Sequence, residues 1–528
     1  MLKGKNIQFT FLFVLMLISN TLISQDAYWV YLSDKEGVSF DPYSFFDPKA
    51  INRRLKHQFD LNHPEDLPVR TDYINSVSGL VDTVIYASRW FNALGVWADE
   101  YQIEEVKKLS FVLEIEKIES TALPTSANSA NSDPEPDPFV ESQTSHLGGD
   151  VFRDHGVNGK GVRIAILDAG FPGVNTHEMF EHIREDGRIL KTWDFTSGNQ
   201  NVYLANQHGA NVLSCIAGFY NGQYYGLAPE AEFLLARTEV RNEPFSEEIY
   251  WEAAMEWADQ NGADIINSSL GYTHQRYFPE QMDGRTAFVS RAAVKAARRG
   301  ILVVNAAGNE GDGSWKRIGA PADADSILTV GGINPNTGYH TSFSSYGPTS
   351  DFRLKPNVSA FGHVMAAGKG DVDKTQGTSF SSPLVAGFAA CVKQLSPGLT
   401  NMQLLNIIQE SASLFPYFDY AHGYGIPQAN FFFEKEKTDS LRTTPTFDAK
   451  IVDYELVVEG NELFDKILES GNDLLYLNFE KKNGVLTDYF VFKVADRNML
   501  RKDISFFPEI KKLNIHFAGY TKTIEFNQ

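Results

Sequence analysis

The central part of this 528-residue chain is predicted to be an α/β fold: a mostly parallel sheet with helices on both faces. Three observations predict it. Strand-length apolar runs, Val162–Leu167 with Arg163 its one polar residue and the all-apolar Ile301–Val304, alternate with helix-length segments, Glu247–Gln260 and Ser290–Arg299. Strands buried on both sides belong to parallel sheets sandwiched between helices. Gly262 and Gly300 follow the two helices and end them. Polar residues then gather where strands give way to turns, beyond the carboxyl ends of the strands, which is where such sheets bind ligands. The rhythm holds over residues 146–436. A small α+β unit precedes it at 25–118, and a small β module follows at 437–528.

In the first unit, Tyr28–Leu32 and Leu80–Tyr86 read as strands. Ala98–Leu109 has helical spacing with Tyr101, Val106 and Leu109 on one side, and Ser110–Ile115 returns to strand. Residues 119–145 are read as a linker and processing region, because Ser, Thr, Asn and Pro crowd its first twenty positions and leave too little apolar surface to order it. In the last module, Leu474–Phe479, Tyr489–Val494 and Leu513–Phe517 are strand-like, and no motif there chooses among sorting, adhesion and substrate binding. At the other end, Lys3 and Lys5 precede an apolar run from Phe9 to Ile23, followed by Ser24 and polar Gln25 and Asp26. That is the pattern of a secretory signal peptide over 1–24, too short to span a bilayer. The mature protein is expected to be secreted, periplasmic or at the cell surface, with no membrane span.

Composition excludes several classes. Hydrophobic residues at 43% and charged residues at 22% are globular. The balance of 47 basic against 67 acidic residues, net −20, repels phosphate backbones and argues against a nucleic-acid partner. Two cysteines in so long a chain exclude a disulfide-built fold and a Cys-rich zinc site. Both Cys215 and Cys391 fall in apolar helical contexts and read as inert core residues, with a disulfide between them the alternative.

The chemistry lies in three places. Asp168 directly follows the strand Val162–Leu167; His208 and Gly209 open the helical segment Ala210–Ala217; Ser379 stands ahead of the apolar helix Leu384–Leu395, with Pro383 expected in its first turn. A serine at a helix start faces unpaired N–H groups and the positive end of the dipole, which favours an oxyanion beside it. Serine needs a base, and the histidine base needs an acid to hold its tautomer. Singly, Asp168 reads as a turn residue, His208 as a helix cap and Ser379 as an N-cap. Together they supply the three roles.

The blocks Gly161–Gly170, His208-Gly209, Ala306-Ala307-Gly308-Asn309 and Gly377-Thr378-Ser379-Phe380-Ser381-Ser382-Pro383 resemble the four signature blocks of the subtilisin-like serine peptidases, in the family's order of Asp, His and Ser. The resemblance spans roughly 146–434 and implies a serine endopeptidase in which Asp168 orients His208, His208 is base and then acid, and Ser379 attacks the scissile carbonyl. It implies that Asn309 donates to the oxyanion and that Ser269, Leu270 and Gly271 pair with the substrate backbone. Gly308 and Gly319 would line the pocket for the side chain before the cut. Small linings suggest a roomy, apolar pocket for a large apolar residue, and Glu310 at its rim also suits a basic one. The unit at 25–118 would be an inhibitory propeptide that covers the cleft, making the protein a self-processed zymogen with polypeptide substrates.

Departures from the family pattern flank the catalytic groups: Ala210 and Asn211 replace the usual Thr and His, and Phe380 and Ser381 replace a small or Met residue and Ala. No cofactor is expected. Relatives often bind calcium, but the acidic pairs Asp371/Asp373 and Asp323/Asp325 are given no ligand role, and no metal site is assigned. An esterase or lipase would need Gly at 381 and its acid and histidine after the serine. A catalytically dead binding protein would have lost one of the four catalytic groups.

Overall fold

A computed structural model describes residues 25–118, 138–240, 246–274, 276–507 and 509–526. The signal segment and most of the linker lie outside these residues.

The N-terminal unit is a four-stranded antiparallel sheet of β1 (Asp26–Leu32), β2 (Thr83–Ser88), β3 (Ala93–Ala98) and β4 (Val112–Ile118), in the order β2-β3-β1-β4. Side chains alternate across a strand, and β1 uses both faces. Tyr28, Val30 and Leu32 pack on the unit's own helices, Thr71–Ser78 and Glu100–Val106. Ala27 and Trp29 turn the other way, into a core shared with two helices of the central domain, Ser246–Gln260 and Phe288–Arg298, where Trp29 stacks on Phe288 at 4.6 Å.

Between β1 and β2 the chain makes an excursion. Asp41-Pro42 and Asp47-Pro48 each pair an N-capping carboxylate with a proline preset for the first helical turn, and they start the short helices Pro42–Phe45 and Pro48–Lys56. The second helix carries Arg53 and Arg54 to the far ends of the same two central helices. There both arginines pair with Asp259, Arg54 also pairs with Asp66, and Arg299 pairs with Asp66 and Glu65; Arg54, Asp66, Asp259 and Arg299 are all sealed from solvent.

The central domain is built on β5 (Arg163–Asp168), β6 (Ile189–Asp194), the small hairpin β7–β8 (Phe219–Tyr220, Gln223–Tyr224), β9 (Glu232–Arg237), β10 (Ile265–Ser268), β11 (Leu302–Ala306), β12 (Leu328–Ile333) and β13 (Val358–Phe361). Leaving the hairpin aside, these form one seven-stranded parallel sheet in the order β13-β12-β11-β10-β5-β9-β6. In β5, Ile164 and Ile166 face the helices His208–Ala217 and Thr378–Leu395, while Ala165 and Leu167 face Ser246–Gln260 and Phe288–Arg298. Both faces are dry, as the unbroken apolar runs predict.

A hairpin of β14 (His363–Ala367) and β15 (Val372–Gln376) leads into the helix that carries Ser379. The C-terminal module packs two antiparallel sheets around one core: β16 (Phe447–Val452), β17 (Glu455–Gly460) and β20 (Leu500–Asp503), against β18 (Leu474–Lys481), β19 (Leu486–Lys493), β21 (Ile510–Phe517) and β22 (Tyr520–Glu525). It meets the central domain where Asn478 Nδ2 donates to Phe418 O at 2.6 Å and the Tyr476 ring lies against His422 and Tyr417.

Three readings need correction. The serine helix begins at Thr378, so Pro383 sits inside it rather than in its first turn. The reading of 119–145 as one linker fails at its end: 138–145 is helical, and the amide of Gln143 donates to Tyr225 O and Met365 O and accepts from Met365 N. Residue 437 falls within the helix Lys435–Thr443, so the β module proper starts at Phe447. Cys215 and Cys391 agree with their reading as core residues: both are buried, unpaired thiols, and burial pushes the pKa of Cys215 up to about 12 and raises that of Cys391 as well.

Candidate active site

Parallel strands deliver their last residues to one edge, and β5 ends on Asp168. The carboxylate is fully buried. Its Oδ1 accepts the Ala169 N–H and lies 2.8 Å from His208 Nδ1, and its Oδ2 has no partner among the described residues. The close approach depends on Gly209, where a Cβ would meet Gly170 O at 2.3 Å and Asp168 Cβ at 3.0 Å. Burial alone would lower the pKa of His208, but the Asp168 charge and hydrogen bond outweigh it and the net shift is upward. Phe380 packs on the imidazole with ring centroids 5.5 Å apart, so one departure from the family pattern supplies a wall for the histidine.

Ser379 is the second residue of its helix, after Gly377 at φ 145. Its hydroxyl donates to Ser269 O at 3.2 Å; no hydrogen bond to His208 is formed among the described residues. Pro383 has no N–H, so the helix cannot bond the carbonyl four residues back, which is that of Ser379. Ser269 Oγ fills the gap, donating to Ser379 O at 2.9 Å. The two serines are thus cross-linked in both directions.

Asn309 follows β11. Its Oδ1 accepts the N–H of Thr378 at 2.9 Å and the Thr378 hydroxyl at 3.0 Å, which commits the oxygen and leaves the Nδ2 donor turned toward Gly377. A helix start leaves its first N–H groups unpaired, so the Ser379 N–H and Asn309 Nδ2 form a pair of donors at one place. Thr378, which orients Asn309, went unnoticed in the sequence, although its hydroxyl inside the serine block was visible.

The proposed substrate residues differ in role. Ser269 is buried and turned inward, and Leu270 O accepts the buried Asn305 amide at 3.0 Å. Gly271 is open, with only Ala320 O at 3.9 Å from where a Cβ would stand. Gly308, at φ 108, has no room for a Cβ, which would stand 2.8 Å from Ser345 Oγ, and a Cβ on Gly319 would lie 2.7 Å from the Thr273 methyl, so Thr273 shares the space beside Gly319. Of the acidic pairs, Asp323 is buried against Ser290 and the Gly284 N–H, and burial pushes its pKa up to about 6. Among the described residues no group of three or more acidic, His or Cys side chains is arranged to hold a metal.

A buried Asp–His pair, a serine at a helix start and two converging donors on the carboxyl edge of a parallel sheet are the parts of a serine hydrolase. Comparison with known proteins gives the family. Residues 159–425 match the subtilase family (peptidase S8), and residues 27–134 match the peptidase S8 propeptide domain of Bacteroidota. The chain is similar to M-protease of Shouchella clausii, 30% identical over 319 residues that cover 59% of this chain and 76% of that protein. It is also similar to subtilisin Savinase of Lederbergia lenta, at 33% over 49% of this chain and 86% of that protein, and to a thermostable alkaline protease of Halalkalibacterium halodurans, at 30% over 70% and 89%. The chain belongs to the subtilase family. It is a serine endopeptidase that carries a propeptide domain, and its form is that of a zymogen.

Proposed function

We propose that the protein is an exported endopeptidase that cleaves polypeptides through an acyl-enzyme on Ser379, after removing its own propeptide. The observation that carries this reading is the 2.8 Å contact between His208 Nδ1 and the buried Asp168, in the same cleft edge as Ser379 and Asn309. Asp168 keeps the proton on Nδ1 and so leaves Nε2 as the base. The Ser379 hydroxyl turns from Ser269 O toward Nε2, gives up its proton, and Oγ adds to the scissile carbonyl. The oxyanion takes the Ser379 N–H and Asn309 Nδ2, the imidazolium returns its proton to the leaving amine, and water repeats the sequence on the acyl-enzyme. The open edge at Gly271 holds the substrate in extended form. Export rests on the pattern of residues 1–24; no helix among the described residues is long and apolar enough to cross a membrane.

The test is intact mass and labelling with a serine-directed fluorophosphonate, wild type beside Ser379→Ala. One label and loss of the segment up to the 119–145 region, in the wild type alone, is the expected result. Equal labelling of both proteins would remove Ser379 from the mechanism. Asn309→Ala should label more slowly and lose about 10²–10³-fold in kcat with little change in KM, the cost of one oxyanion donor.

A further inference from the structure

The turn between β2 and β3 of the N-terminal unit sits on the helix Ser246–Gln260, and its contacts count out a proton. Ser88 Oγ lies 2.8 Å from Glu252 Oε1 and 2.8 Å from Glu256 Oε1, and it also accepts the Phe91 N–H at 3.1 Å. A hydroxyl has one hydrogen, so it can donate to only one of the two carboxyls. The other contact is made by a carboxylic acid donating to the serine. Glu256 is the carboxylate: it already accepts Tyr86 OH at 3.0 Å, the Arg89 N–H at 3.2 Å and the Trp90 N–H at 2.9 Å. Glu252 has none of these donors, is fully buried, and leaves its Oε2 without a partner among the described residues. It is the member that holds the proton.

We propose that the propeptide's seat on this helix, described above, is proton-coupled: the severed propeptide is held there together with one proton on Glu252. The proposal rests on the zymogen reading above. Burial raises the pKa of Glu252 well above the carboxylate range, and the neighbouring Glu256 raises it further. The charged and titratable groups around it are Lys35, Tyr86 and Arg89 from the propeptide with Asp66 behind them, Lys295 from the adjacent helix, and Glu248, Glu256 and Asp259 from its own helix. Of the cations, Lys35 is pushed by burial down to about 8, at the upper edge of the window used below.

The sign follows from counting protons. Once the propeptide leaves, Glu252 faces water and ionises near the ordinary value of about 4.3. Between that value and the raised one, Glu252 holds one more proton in the docked state than in the parted state, and its own contribution to propeptide affinity falls by about tenfold per pH unit. His57, packed on Gly300 at the same interface and pushed by burial down to about 4, runs the other way when release returns it to water. The Glu252 contribution is therefore read as the difference between the wild type and a variant that lacks the titrating acid.

Two measurements on the full chain test this. The uncleaved Ser379→Ala chain at neutral pH should show a buried carboxylic-acid C=O stretch in infrared difference spectra that disappears in Ser379→Ala/Glu252→Gln; absence of that band from the first chain overturns the proposal. With Ser379 intact, the affinity for the severed propeptide, read by size separation from about pH 5.5 to 7.5, is compared with that of Glu252→Gln, which mimics the protonated acid and can still donate to Ser88. The ratio of wild-type to Glu252→Gln affinity should fall about tenfold per unit; a ratio that stays constant with pH overturns the assignment. A chain that never cleaves refutes self-processing and leaves the infrared band to decide the proton.

Discussion

Asp168 shows how much one side chain settles. A single oxygen serves both its own turn and His208, so the imidazole is held in one tautomer with its pKa raised. The proposed mechanism needs neutral His208, so the acid limb of kcat/KM should lie above the free-imidazole value of about 6.5. Asp168→Asn removes the charge and favours the wrong tautomer; kcat should fall about 10⁴-fold and the residual acid limb should move to lower pH. An unmoved limb would mean that some other group sets the base. The three proposed catalytic residues are legible in the sequence because each stands within two residues of a glycine at the edge of a regular element. What the sequence did not disclose is rotational: Ser379 Oγ on Ser269 O, Thr378 on Asn309, and Phe380 against His208 all depend on side chains that meet only after the sheet has formed.

Among the elements, the serine helix departs most from expectation. Proline read as a first-turn residue places the helix start at 384, whereas the chain tolerates Pro383 in the sixth position because Ser269 relieves the carbonyl it strands. Ser269→Ala leaves that buried carbonyl unpaired and should destabilise the protein by about 1–3 kcal/mol in denaturant unfolding. Pro383→Ala restores an N–H at the right place, so the double variant should recover part of the loss; additive losses would show that the proline is not what makes Ser269 necessary. Strands β5 and β11 are legible because both their faces are apolar, whereas the edge strand β6, with Leu190 and Lys191 exposed, shows no such run. Strand β3 was missed because Ala93-Leu94-Gly95-Val96 neither alternates nor contains a run of β-branched residues. The helices Pro42–Phe45 and Pro48–Lys56 carried Asp-Pro start signals but too few apolar residues to show a periodicity.

Across the whole molecule, the buried charges between the propeptide and the two central helices have no counterpart in the sequence pattern, since Arg53 and Asp259 are 206 residues apart when they meet. Removing one member of a buried ion cluster strands the others. Arg54→Ala in the uncleaved Ser379→Ala chain should cost about 3–5 kcal/mol in denaturant unfolding. Glu104→Ala, which breaks the exposed pair with Lys107, should cost at most about 0.5 kcal/mol. Similar effects from both variants would mean that the buried cluster is no tighter than a surface pair.

Beside the apolar seat of Ala27 and Trp29, the propeptide grips the helix Ser246–Gln260 by polar contacts at two places, the β2–β3 turn at Glu252 and Glu256 and the excursion helix at Asp259. A severed propeptide so held is a bivalent ligand. When one grip lets go, the other keeps it at high effective concentration beside its seat, and re-engagement outruns escape. Cutting the chain and freeing the enzyme become separate events in time. Departure waits for both grips to open together, so weakening either one speeds the arrival of free enzyme without touching the bond that is cut.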